Sequence, residues 1–225
     1  MLAIKALSAL LLYPDAGLRA VLPEVARALR AAPLPPAERE AVAAFCRRLA
    51  GQAPLSAQAE YVALFDGGRS LSLYLFEHVH GDSRDRGSAL AALLDDYRAA
   101  GLEPSGDELP DFLPVFLEYA SLHAEEEARA LLGEVADILA LLAARLEARG
   151  SGYAAVMRAL EALAARPADR EAVAARVAED KPDHTPEALD AAYEETPVTF
   201  MEPAAPQTPC PKAAEIVARF AETGT

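Results

Sequence analysis

The stretch "LFEHVHGDSRDRG" (75–87) places one Glu, two His, two Asp and two Arg within thirteen positions, with glycines at 81 and 87. Side chains of these types, this close together, can hold a metal, cradle a phosphate, move protons, or form a polar corner for another protein. Glu77-x-x-His80 has the one-face helical spacing of carboxylate-bridged di-iron bundles. Such a site needs the motif twice and two further glutamates. His123 follows Glu118 by five residues, which is the wrong spacing, and His78 and His80 stand about 200° apart on a helix. "GDSRDRGS" (81–88) looks like a phosphate loop, but five residues separate its glycines, it has no Lys, and no strand precedes it. Ser83, His80 and Asp85 sit in no elbow turn and beside no oxyanion-hole pattern, so a nucleophilic triad has no support. The sequence thus nominates no catalytic residue and no complete metal-ligand set. Helix capping by Asp82 or Ser83, with Arg84 and Arg86 paired to nearby acids, accounts for part of the cluster. A fixed binding corner on an apolar bundle accounts for more of it.

The elements that must position this cluster are helical. Hydrophobic residues make up 52% of the 225 and aromatics 6%, with no Trp, so the apolar content is mainly Ala, Leu and Val. Ala and Leu are strong helix formers, which predicts an all-α protein. Two cysteines far apart, Cys46 and Cys210, give no disulfide framework or zinc site and suit a reducing cytoplasm. The N-terminal "MLAIKALSALLLYP" imitates a signal peptide but lacks a small-residue cleavage site. No run approaches the ~20 apolar residues of a membrane span. A net charge of −14 disfavours nucleic acid and anionic membranes and favours a basic peptide.

Apolar periodicity predicts helices over about 2–13, over 18–29 with a break at Pro23, and around Val42–Leu49 with Gly51 as C-cap. Another starts at Ser56 and is interrupted by "DGGR" (66–69). Further helices end near Val79, carry Leu90–Tyr97, span 123–149 as the longest, and carry Tyr153–Leu163. A helical domain is expected over 1–166. Residues 167–225 read as an acidic, Pro-rich tail, loosely attached or disordered, with short helices at about 169–179, 186–195 (Thr185 as cap) and 212–221. Residues 168–225 hold seven prolines and 12 acidic against 5 basic residues, half of the chain's net negative charge.

The segment "YVALFDGGRSLSLYLFEHVHGDSRDRGSAL" (61–90) closely resembles the most characteristic stretch of the NarJ-type nitrate reductase molybdenum-cofactor assembly chaperones, which are grouped with the TorD and DmsD chaperones. "LLYPD" (11–15), "DELPDFLPVFLEY" (107–119) and "YEETPVTF" (193–200) fit as well, the last with Tyr193 where the family usually carries Trp. The resemblance runs in order over residues 2–200. It implies a cytoplasmic, non-catalytic chaperone without a cofactor of its own, a monomer or weak homodimer. By that resemblance it binds the N-terminal, leader-like segment of the nitrate reductase catalytic subunit, supports cofactor insertion, and delays membrane docking. The peptide would lie as an amphipathic helix in an apolar groove flanked by acids.

Matching motif positions nominates Phe65, Asp66, Arg69, Phe76, Glu77, His78, His80, Arg84, Asp85 and Arg86 in the central segment, and Glu108, Pro110, Asp111 and Glu118 in the second. Beside those roles, Phe65 and Phe76 read as core aromatics, Asp66 and Asp111 as helix caps, and Arg84 and Arg86 as braces. If His78 or His80 borders the groove, affinity for a cationic peptide should fall as pH drops through ~6.5. From Glu103 to Glu127 eight acids and no Lys or Arg offer a negative field. A helical metal-binding or nucleotide-binding protein using the Glu77–Arg86 cluster stays the competing reading.

Overall fold

The computed structural model describes residues 1–79, 85–103 and 108–181, together with 183, 185, 187, 188 and 190. Eleven α-helices occur among them, and no strand; one isolated antiparallel bridge joins Tyr74 to Phe112. They are α1 (Leu2–Ala9), α2 (Ala16–Arg30), α3 (Pro36–Gly51), α4 (Pro54–Phe65), α5 (Leu75–Val79), α6 (Asp85–Ala99), α7 (Leu113–Leu122), α8 (Glu125–Glu134), α9 (Ala136–Ala148), α10 (Ala154–Leu163) and α11 (Arg170–Ala178). A 3-10 turn over Arg69–Leu71 follows α4. The all-α class expected from composition is what is observed.

Local chemistry sets the ends. Asp15 caps α2, its carboxylate accepting from the Leu18 N–H at 2.8 Å, and Asp169 caps α11 in the same way. Pro36 and Pro54 open α3 and α4, where a missing N–H costs nothing. Gly101 and Gly150 end α6 and α9 with φ of 78° and 66°. In each case the next residue's N–H reaches back five residues at 2.9 Å, closing the helix in a Schellman turn.

α9 is apolar on nearly every side, and a helix of that kind belongs in the middle. Leu139, Leu142 and Leu146 face the main core with Leu160 and Leu163 of α10. Ala136, Ala140 and Leu141 face the other way, against Ala168 and Val173. α1 is seated on α2, α7 and α10, and α3 on α2 and α10.

Several boundaries depart from the sequence expectation. α2 runs through Pro23 without ending, because Leu18, Leu22, Val25 and Leu29 all bury along one face. That burial outweighs the one ladder bond the proline cannot donate. The expected helix over 123–149 is two, α8 and α9, parted at Val135. There Arg166 Nε takes the Gly133 carbonyl at 3.2 Å and the backbone turns to φ −103°, ψ 7°. The first helix stops at Ala9, and α4 begins before Ser56, at Pro54.

The compact unit runs from Met1 to Asp190, past the boundary at 166. α11 packs on α9 because small residues on both sides let the backbones approach, with Val173 inserted between them. Thr185 Oγ1 accepts from the Ala188 N–H at 3.2 Å, as a cap should. The expected helix at 212–221 and the "YEETPVTF" motif lie outside the described residues.

Candidate functional site

Where α1 ends and α2 begins, the chain leaves apolar side chains on the surface. Leu12, Tyr13 and Val21 are each more than 40% exposed, and they rim a groove of about 740 Å³. Ala9 and Leu18 continue this wall. The opposite side comes from Tyr61, Phe65 and Asp66 at the end of α4, then Leu73, Tyr74, Glu108 and Phe112.

Aromatic packing fixes the shape. Tyr61 meets Tyr13 edge-on at 5.7 Å between ring centroids and Phe65 at 4.9 Å. Its buried hydroxyl donates to the Leu11 carbonyl at 2.9 Å. Tyr74 lies 5.4 Å from Phe112, held across the antiparallel bridge, and its hydroxyl donates to Glu108. Three carboxylates, Asp15, Asp66 and Glu108, line the groove, and among the described residues no Lys, Arg or His does. An apolar trough edged by acids suits an amphipathic segment with positive charge.

Beside the groove a buried polar brace holds the wall in place. Asp111 is fully buried, and its Oδ2 accepts the Phe76 N–H at 3.0 Å, capping the start of α5. The Asp111 carbonyl accepts from Leu75 N–H at 2.9 Å, and the Leu113 N–H donates to the Leu73 carbonyl at 2.7 Å. Arg86 of α6 reaches Glu77 at 3.4 Å and Asp111 at 3.8 Å. Burial pushes the Asp111 carboxyl above the usual carboxylate range, while the Phe76 N–H and Arg86 oppose that shift. His78 Nε2 lies 2.8 Å from the Ser72 carbonyl. Burial pushes its imidazole below its ordinary pKa, against the effect of that hydrogen bond.

The nominated residues therefore separate into groups. Phe65, Asp66 and Glu108 line the groove. Phe76, Glu77, Arg86 and Asp111 belong to the adjoining brace, and His78 is turned inward under the 3-10 turn. Pro110 accepts the Tyr97 hydroxyl at 2.8 Å. Arg69 is exposed on the 3-10 turn, and Asp85 is the exposed first residue of α6. Glu118 is exposed on α7, paired with Lys5 at 3.2 Å, and does not line the groove. His80 and Arg84 lie outside the described residues.

Leu12, Tyr13, Leu18, Val21, Tyr61, Leu73, Tyr74 and Phe112 line the groove without having been nominated. Leu12 and Tyr13 stand in the "LLYPD" motif, which was the available signal. Among the described residues no group of three metal-ligating side chains converges, and no helix is long and apolar enough to cross a membrane.

The described residues thus form an all-helical unit that carries an acid-edged apolar groove. Residues 31–159 match the family model described as nitrate reductase delta subunit. The chain is 46% identical over 202 residues, 89% of its own length and 86% of the relative's, to the nitrate reductase molybdenum cofactor assembly chaperone NarJ of Escherichia coli K12. It is 44% identical over 158 residues (70% of the chain, 68% of the relative) to the probable assembly chaperone NarW of the same organism. It is 35% identical over 168 residues (75% and 91%) to the probable NarJ of Bacillus subtilis 168. This chain belongs to the nitrate reductase delta subunit family, among the NarJ-type assembly chaperones.

Proposed function

We propose that this protein is a cytoplasmic, non-catalytic chaperone of nitrate reductase. It binds the N-terminal, leader-like segment of the catalytic subunit in the α1–α2–α4 groove and keeps that subunit open for molybdenum-cofactor insertion before membrane docking. The observation that carries this reading is the groove: exposed Leu12, Tyr13 and Val21 beside Asp15, Asp66 and Glu108, with no cation among the described residues that line it. An amphipathic helix entering there covers half-exposed apolar side chains worth about 1 kcal/mol each, and three or four large side chains of its own worth ~5–10 kcal/mol together. Ordering the peptide costs ~2–5 kcal/mol. The rim carboxylates add only ~0–1 kcal/mol each, but they select a cationic partner and speed its encounter.

Calorimetric titration of the protein with a synthetic peptide copying the N-terminus of its host's reductase catalytic subunit tests this, with a scrambled peptide of equal charge as control. Saturable binding of the native peptide, retained at raised salt, is expected. Tyr13→Ala should weaken it about tenfold, a loss of ~1.4 kcal/mol, with little change in melting temperature. Asp66→Lys should mainly slow association. Equal binding of both peptides would refute leader recognition.

A further inference from the structure

The loop Gly67–Ser72 joins the groove's Phe65 and Asp66 to its Leu73 and Tyr74. The end of the compact unit, distant in sequence, clasps it. Asp183 accepts the Ser70 N–H at 2.6 Å through Oδ2 and the Ser70 hydroxyl at 2.9 Å through Oδ1. Arg149, the residue just after α9, donates to Asp183 Oδ1 at 2.9 Å and to the Ser70 hydroxyl oxygen at 2.7 Å. Arg145 donates to the Ser70 carbonyl at 2.8 Å and pairs with Asp180. Arg176 of α11 donates to the His78 carbonyl at 3.1 Å. Gly68 lies so close that a Cβ there would meet Asp183 Oδ2 at 2.6 Å and the Asp183 carbonyl at 2.8 Å.

We propose that Asp183 is a positioning residue for the groove. With Ser70 and Arg149 it forms a latch by which the segment after α11 holds the Gly67–Ser72 loop, and through it sets the separation of Asp66 from Tyr74. The inference rests on the groove being the leader site. Two features favour a latch over ordinary packing. The Ser70 N–H, hydroxyl and carbonyl are all satisfied from Asp183, Arg149 and Arg145. Ser70 also sits between two groove walls that have no direct covalent link except this loop. Ionisation of Asp183 suits the role: burial opposes it, yet the Ser70 donors and Arg149 hold the carboxyl below its usual range.

The test uses the full chain and the same leader peptide. Asp183→Ala should weaken binding about tenfold, and Gly68→Ala, which pushes the same contact apart from the loop side, should do likewise. Their effects should fall short of additive when combined, since both open one latch. Val42→Ala, a core truncation in α3 that lines neither the groove nor the latch, is the control for general destabilisation and should leave affinity unchanged. Hydrogen exchange adds a readout independent of affinity. The Ser70 amide should exchange faster in Asp183→Ala, and peptide should slow it in the wild type, because coupling is reciprocal. Should Asp183→Ala fail to fold, Asp183→Asn and Ser70→Ala replace it. Wild-type binding with equal affinity in the latch variants, or equal loss in Val42→Ala, overturns the latch alone. Absence of wild-type binding overturns the groove reading and the latch role with it.

Discussion

Two tyrosines packed into one aromatic cluster differ in a single respect. Tyr61 donates its hydroxyl to Leu11, whereas the buried Tyr153 hydroxyl finds no partner among the described residues. Removing a made hydrogen bond and removing an unmade one have opposite signs. Tyr61→Phe should cost ~0.5–1.5 kcal/mol in urea unfolding, and Tyr153→Phe should be neutral or stabilising. His78 carries a pH dependence of stability rather than of peptide contact. Its folded pKa is lowered, so protonation favours the unfolded chain. Its contribution is present above the unfolded value of ~6.5 and is lost as pH falls below it. Denaturation midpoints between pH 8 and 5 should fall through that range, and His78→Gln should flatten the slope attributable to this group. Peptide affinity, by contrast, should not follow His78.

Most helices could be read from their apolar spacing, because Ala and Leu at three- and four-residue intervals leave little else for the chain to form. The failures came where a side chain from elsewhere decides the backbone. Arg166 taking the Gly133 carbonyl splits α8 from α9, and no local pattern announces it. α11 was readable as a helix, but its docking was not, since Ala168 and Val173 offer little apolar area until small residues on α9 meet them. Helix ends yield a paired prediction. Gly150 has φ 66° and open space around it, so Gly150→Ala should cost ~1–2 kcal/mol through backbone strain alone. Gly51 lies within the last turn of α3 and a Cβ there meets nothing within 4 Å. Gly51→Ala should gain ~0.4–1 kcal/mol, read as a higher melting temperature.

At the scale of the molecule, the sequence signalled the brace better than the groove. Polar residues are conspicuous in a chain of Ala and Leu, so the "EHVHGDSRDRG" cluster stands out, and its Arg86 does meet Glu77 and, from the second motif, Asp111. Groove walls are made of Leu, Val and Tyr, which in one dimension look like core; only folding shows that Leu12, Tyr13 and Val21 stay exposed. Charge is divided across α2 as well. Its start edges the acidic groove, while Arg19 and Arg30 face Arg47 of α3 across a hollow lined by Leu22, Pro23 and Ala26. At the base of that hollow lies Cys46, 3% exposed, its thiol pushed up to about 11 by burial against the opposing pull of Arg47 and Arg30. At neutral pH that thiol stays protonated, and it is buried away from solvent. Alkylation of Cys46 therefore waits for α2 and α3 to part. In a Cys210→Ser background, the rate of labelling becomes a stopwatch for how often this side of the bundle breathes.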